Sequence, residues 1–418
     1  MSDVQSGFSS SYAQARQKFL IAAQSAGLSV DSHAHPLQGR DAEELAMDLV
    51  FDGAPGAQAL LIISSACHGV EGYCGSGVQV HALQNAAWRA AAKAQGVAVL
   101  YIHALNPHGF SHVRRVTHEN VDINRNFQDF TQALPDNPAY REIQPLLLPE
   151  VWPPDAANTA ATNQFIAERG MKAFQAAISK GQHEFPDGLF FGGQAPTWSN
   201  LTLRKVLQKY GQACQQLAWI DLHTGLGPSG VGERIFACAD DAAAYSRAKA
   251  WWGQGITSIY DGSSTSPMLT GLMWMSAYQE CPQAEYTGIA MEYGTQPQLQ
   301  VMNALRGDHW LHLHPEAPEP LRQHIKQALM DAFYVDTDDW RAQVVSQARQ
   351  ALFQAVDGLR RSAMYALGGV AEPEGAEANQ LINGIGGPQY VYSVLTGYTP
   401  DDKLSEELLV QSPNLLLR

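Results

Sequence analysis

The stretch SSACHGVEGYCGSG places an imidazole, His68, three residues before a carboxylate, Glu71, directly after an apolar run. On a tight turn, or in the first turn of a helix, that spacing lets both side chains converge on one metal ion. The glycines at 69, 72, 75 and 77 let the backbone turn sharply beside it. Two later segments repeat the pattern of an apolar run that delivers a polar side chain to its end. AWIDLHTGLGPSG carries Asp221 and His223 and then a Gly-rich loop, and IAMEYGT carries Glu292 and then Gly294. Sites in open parallel sheets lie outside the carboxyl ends of strands, so His223 stands where a third ligand is expected. Asp221 is suited to fix an imidazole's tautomer or to support the turn. A lone carboxylate at a buried strand end is costly unless it is paired, hydrated or facing a metal-bound water, which makes Glu292 a candidate general base. Each feature taken singly also has a plainer reading, as a solvated pair, a packed histidine or a turn support.

A fourth segment, HALNPHGFSHVRRVTHENVDINRNF, spans His103 to Phe127 and holds Arg114, Arg115 and Arg125, the last between Asn124 and Asn126. The planar fork of arginine binds a carboxylate through two hydrogen bonds, and a neighbouring amide adds a donor. In an acidic chain, clustered arginines point to a site for a small anion. Bridging to Glu119 and Asp122 is the alternative.

HGVE, DINRNF, DLHTG and MEYGT, in that order, resemble the zinc carboxypeptidase family typified by carboxypeptidase A. The chain is more closely similar to a bacterial branch described as a domain of unknown function, in which HGVEG, NPHGF and RR...NVD(L/I)NRNF recur. The resemblance covers roughly residues 28–368. It implies that His68, Glu71 and His223 bind one zinc ion, that Glu292 is general base and proton shuttle, and that Asn124 and Arg125 hold the substrate's terminal carboxylate. One of Arg114 and Arg115 would polarise the scissile carbonyl, with Arg115 preferred and Arg114 left to substrate binding. The family's substrate-capping tyrosine has no secure counterpart; Tyr260, Tyr278 and Tyr286 are candidates.

These residues need a scaffold, and the alternation of apolar runs with helical periodicity predicts an α/β fold with a mixed, mainly parallel sheet flanked by helices. Expected strands cover 44–51 (half-exposed), 59–63, 97–103, 218–222 and 289–292. Expected helices begin at Ser10 or Ser11 and run to Gly27, then cover 76–95, 201–216 and 340–366. The intervals 134–154 and 261–271 read as long loops. GGVAEPEGAEANQ reads as a linker, giving a hydrolase domain over 1–368 and a C-terminal extension over 369–418.

With 418 residues, 45% hydrophobic and 16% charged, the chain can bury a large core. Its 27 basic against 41 acidic residues give a net charge of −14, with no Lys/Arg run of five or more, which argues against duplex nucleic-acid binding. No secretory leader or membrane-spanning stretch is evident, so a cytoplasmic protein without a membrane partner is expected. Five cysteines without a CxxC pair fit reduced thiols.

Several signals compete. His33 and His35 in VDSHAHPL could be the HxH pair of a barrel amidohydrolase, but four ordered motifs serve another site. His309, His312 and His314 lack an acidic partner at ligand spacing, and Trp251, Trp252 and Trp274 are expected in the core. GGPQYVYSVLTGY resembles a short stretch of cytochrome c1, yet no CxxCH motif is present and no haem is expected. The leading expectation is zinc-dependent hydrolysis of an amide bond beside a free carboxylate, as in a metallocarboxypeptidase acting on small peptides. The alternatives are an aspartoacylase-like deacylase or amidase of N-acyl amino acids, and a metal-free binding protein that keeps the fold.

Overall fold

Ser11 accepts a hydrogen bond from the backbone N–H of Gln14 and so caps the first helix, α1 (Tyr12–Ser25), where the sequence predicts it. The computed structural model describes residues 4–366, with side chains as far as 362. Contacts divide the chain into a unit of residues 1–360, described here, and a unit of residues 361–418 that lies almost wholly outside the described residues. The expected boundary near Gly368, the extension and its cytochrome-like stretch fall there too.

Seven strands form one mixed sheet in the order β1-β2-β4-β3-β5-β7-β6. They are β1 (Val30–Gln38), β2 (Glu44–Asp52), β3 (Ala59–Ser64), β4 (Val97–His103), β5 (Gln216–Thr224), β6 (Gly232–Phe236) and β7 (Glu285–Tyr293). The central four, β4, β3, β5 and β7, run parallel, while β1, β2 and β6 are antiparallel to their neighbours. Apolar runs without alternation become strands buried along their whole length, as in β3 and β5, because helices cover both faces. The remaining helices are α2 (Gly72–Gln84), α3 (Ala86–Ala94), α4 (Pro107–Ser111), α5 (Pro138–Leu147), α6 (Ala156–Arg169), α7 (Met171–Ser179), α8 (Trp198–Gly211), α9 (Ala242–Trp252), α10 (Ser276–Glu280), α11 (Gln298–Leu313), α12 (Glu319–Phe333) and α13 (Asp338–Ala366). None of the described helices is long and apolar enough to cross a membrane.

Three expectations are corrected. β2 is buried on both faces rather than half-exposed: Asp48 accepts from Arg16 of α1 at 2.7 and 3.3 Å and from Ser32 at 2.5 Å, so its charge is paired under the helix. The single helix expected over 76–95 is two, because Asn85 leaves the helical conformation and its side chain caps α3 through the N–H of Trp88. The interval 134–154 contains α5, started by Asn137 and Pro138. The interval 261–271 has no helix or strand.

From β3 the chain crosses to β4 on one side, and it later returns to β5 on the other. The carboxyl ends of β3 and β5 therefore flank the point where the strand order reverses, a position at which open α/β sheets form crevices. In register, Ser64 of β3 lies opposite Asp221 of β5, and His223 of β5 lies opposite Glu292 of β7.

Candidate active site

His68 follows the end of β3, and the turn Gly69–Glu71 that leads into α2 brings Glu71 back beside it. This turn is tied down at two backbone positions: Gly69 N donates to Arg115 O (3.0 Å) and Val70 N to Arg114 O (2.9 Å). A Cβ at Gly69 would strike the backbone of Gly109 and Phe110, so only glycine permits the approach of HGVE to NPHGF.

His68, Glu71 and His223 are buried and present ligand atoms that all lie within 4.8 Å of one another. His68 Nδ1 is 2.8 Å from Glu71 Oε1, and His223 Nδ1 is 2.9 Å from Glu71 Oε2. The other ring nitrogens face a second pair of carboxylates, His68 Nε2 at 3.3 Å from Asp122 Oδ1 and His223 Nε2 at 2.5 Å from Asp221 Oδ2. An imidazole nitrogen approaches a carboxylate through a proton or through a cation. With each Nε2–H given to its acidic partner, both Nδ1 atoms and the Glu71 carboxylate are left to a shared cation, and this donor set fits a divalent metal such as zinc.

The charges of this pocket shift one another. Burial opposes ionisation of Glu71, but His68 and His223 hold its carboxyl below the usual range. Burial likewise disfavours the charged form of His223, yet Asp221 and Glu71 raise its affinity for a proton well above the ordinary value. Cys67 and Asp221 form a second group with His223, but neither lines the cavity, and burial followed by Asp221 pushes the Cys67 thiol up.

The three candidate ligands line one side of a cavity of about 90 Å³ shared with Arg115, Asn124, Arg125 and Glu292. Glu292 stands at the end of β7, and its Oε1 accepts from Leu226 N at 3.0 Å, in the Gly-rich loop after β5. Burial and then Glu71 push its carboxyl up to about 8. Arg115 spans the gap between the ligands and Asp122, donating through Nε to Asp122 Oδ2 (3.0 Å) and through Nη1 to Glu71 Oε1 (3.3 Å). Its Nη2 lies 2.8 Å from His68 Nε2. Arg125 donates through Nε (3.0 Å) and Nη2 to Ser179 O and through Nη1 to Asn124 O (2.8 Å), and burial lowers its guanidinium to about 10, so it is cationic at neutral pH. Asn124 Oδ1 accepts from Met273 N at 2.8 Å, which orients the amide.

Arg114 is placed elsewhere. Its Nε donates to Asp308 (3.3 Å) and its Nη2 to Asn120 (3.1 Å), and it does not line the cavity. Adjacent residues of an extended segment point to opposite sides, so only one of the two arginines reaches the site. Among the described residues no tyrosine lines the cavity: the hydroxyls of Tyr260 and Tyr286 donate to Cys238 O and Ala237 O, and that of Tyr278 accepts from Ala239 N. His309 bonds Asp187 O, His314 stacks on Trp310, and His35 packs against Trp198 and His118.

Two residues of the site carry no signal of their own in the sequence. Asp122 is the first residue of DINRNF; it orients His68 and receives Arg115. The ring of Phe190 lies 4.9 Å from the Arg115 guanidinium and 5.8 Å from that of Arg125, and it walls the cavity between them. Trp274, expected in the core, also lines the cavity.

A mixed α/β sheet with a buried His-Glu-His cluster, an acid and two arginines at the carboxyl ends of its central strands defines an α/β protein with a candidate metal centre. The chain belongs to the family described as a protein of unknown function, DUF2817, whose model matches residues 8–347. No curated protein matches it. Among solved structures it is similar to a metallo-carboxypeptidase from Burkholderia cenocepacia, at 11% identity, covering 84% of this chain and 69% of that one with a TM-score of 0.39. It is also similar to bovine thrombin-activatable fibrinolysis inhibitor, at 10% identity, 82% and 98% coverage and a TM-score of 0.40. A metallo-carboxypeptidase from Pseudomonas aeruginosa matches at 10% identity, 76% and 67% coverage and a TM-score of 0.34.

Proposed function

We propose that the protein is a zinc-dependent hydrolase that cleaves an amide bond next to a free carboxylate, acting as a carboxypeptidase on small peptides. The observation that carries this reading is the convergence of His68, Glu71 and His223 on one point of a cavity that also holds Glu292 and a cationic Arg125. His68, Glu71 and His223 would hold the ion, which when bound supplies Lewis acidity to polarise the carbonyl and to make a water ionisable near neutral pH.

The chain's own residues supply the rest. Arg125 and the Asn124 amide anchor the terminal carboxylate, which selects the last residue of the chain because an internal peptide bond has no such anion. Arg115 sits beside the cluster and is placed to stabilise negative charge developing on the carbonyl oxygen. Glu292 takes a proton from the attacking water and delivers it to the leaving nitrogen, so that one water is consumed, the C–N bond breaks and a carboxylate and an amine are released. Asp122 and Asp221 hold the two imidazoles in orientation.

The size of the cavity supports a second reading. About 90 Å³ is room for roughly six to nine water-sized groups, which suits an N-acyl amino acid as well as a dipeptide. The decisive test combines metal analysis of protein purified without chelator with a screen of dipeptides and N-acyl amino acids. One zinc per chain and turnover of at least one class are expected. Glu292→Gln should keep the metal and lose turnover by at least about 100-fold, whereas His68→Ala and His223→Ala should lose the metal. A near wild-type rate in Glu292→Gln removes it from the role of base, and protein without bound metal sinks the reading as a whole.

A further inference from the structure

Trp274 sits on the cavity wall with only 4% of its surface exposed, and its indole Nε1 is buried without a hydrogen-bond partner. A buried N–H without an acceptor is costly, and such donors in folded proteins are nearly always paired. This one lies in a wall otherwise made by Ile235, Ile259, Leu269 and Ala290, none of which offers a side-chain acceptor.

The position of the indole is fixed relative to the proposed carboxylate anchor. Phe127 N donates to Gly271 O at 3.1 Å and Met273 N to Asn124 Oδ1 at 2.8 Å, so the segment carrying Trp274 is fastened to the segment carrying Arg125 at two points. Gly271 has φ +70°, and a Cβ there would strike Arg125 O, so this contact is close enough to exclude any other residue.

The charge of the cavity narrows what the wall can receive. Its ionisable lining groups are His68, Glu71, His223, Glu292, Arg115 and Arg125. All six are occupied by the metal-capable cluster, the base or the anion anchor, which leaves no counter-ion for a charged side chain.

We propose that Trp274 is a specificity-determining residue whose indole N–H donates to an acceptor on the substrate side chain beside the anchored carboxylate. The site then selects a neutral, acceptor-bearing residue, of which the carboxamide of glutamine is the probe, over its hydrocarbon counterpart and over lysine or glutamate. This rests on the reading of Arg125 as the carboxylate anchor.

Calorimetric titration of the zinc-supplemented full-length protein with free L-glutamine, L-norleucine, L-lysine and L-glutamate reads the preference without turnover. The wild type should bind glutamine roughly fivefold to tenfold tighter than norleucine, with lysine and glutamate weaker than both. Trp274→Phe keeps a ring and removes the donor, and should bring the glutamine-to-norleucine ratio close to one. No preference in the wild type, an unchanged ratio in Trp274→Phe, or no binding of any of the four overturns the proposal; the wild-type comparison holds even if the variant misfolds. Hydrolysis of dipeptides ending in the same residues is measured alongside. Absent turnover with the binding preference intact sinks the hydrolase reading and spares this one, while turnover with an unaltered ratio does the opposite.

Discussion

Each candidate ligand imidazole is gripped from behind by a carboxylate, Asp122 for His68 and Asp221 for His223, at 3.3 and 2.5 Å. Such outer partners fix the tautomer that leaves Nδ1 free for a cation and raise its basicity. Asp122 does more, because it also receives Arg115 Nε and caps the turn through Asn124 N at 2.9 Å. Burial alone would favour its protonated form, but Arg115, His68 and Arg125 hold it ionised. Asp122→Asn preserves the cap and removes the charge. It should weaken zinc affinity by roughly 10-fold to 100-fold, read by competition with a chromophoric chelator; an unaltered affinity would show that Asp122 serves Arg115 alone.

At the scale of elements, the site is made by three strand ends and two loop segments that touch over glycine. The strand ends were legible in the sequence: each apolar run of the parallel core ends in the polar residue that faces the cavity, and β3, β5 and β7 begin or end within a few residues of their expected bounds. The choice between Arg114 and Arg115 was not legible, because it depends on which neighbour faces Asp308 of α11, nearly two hundred residues away. Asp122, Phe190 and the cavity role of Trp274 were hidden for the same reason, since they are defined by packing between distant segments rather than by spacing along one. β2 misled through composition, its two acidic residues suggesting a wet face where Arg16 pairs with Asp48. The contact of Gly69 with Gly109 is the element-scale feature most open to test. Gly69→Ala should cost about 1–3 kcal/mol as backbone is forced apart, with a lower melting temperature and weaker metal binding together, because His68 and Glu71 flank the displaced turn. Full metal affinity in a destabilised variant would separate the turn from the ligand geometry.

Over the molecule as a whole, the core encloses imidazoles that are neutral when folded. Burial lowers His103, stacked 4.6 Å from Phe19 and 2.8 Å from Ser76 Oγ, to about 4, and burial with Arg114 lowers His309 to about 3. In the unfolded chain both would take a proton near pH 6.5. Below that pH the unfolded state binds more protons than the folded one, so the stability these groups contribute is complete above pH 6.5 and is lost as the pH falls toward 4 and 3. Between pH 6.5 and 5 the loss is on the order of 2 kcal/mol for each imidazole. The paired carboxylates Asp122 and Asp308 are lowered, so their contribution is lost only at more acidic pH, below their unfolded values. Glu292 is shifted the other way, up to about 8, and its slope opposes that of the histidines. The measurement is therefore a comparison: urea unfolding at several pH values for the wild type and for His103→Gln, which can still bond Ser76 and cannot titrate. The wild type should lose stability more steeply than His103→Gln from pH 6.5 to 5, by about 1.4 kcal/mol per pH unit. Parallel slopes would mean that His103 is hydrated enough in the folded protein to titrate as it does in the unfolded chain.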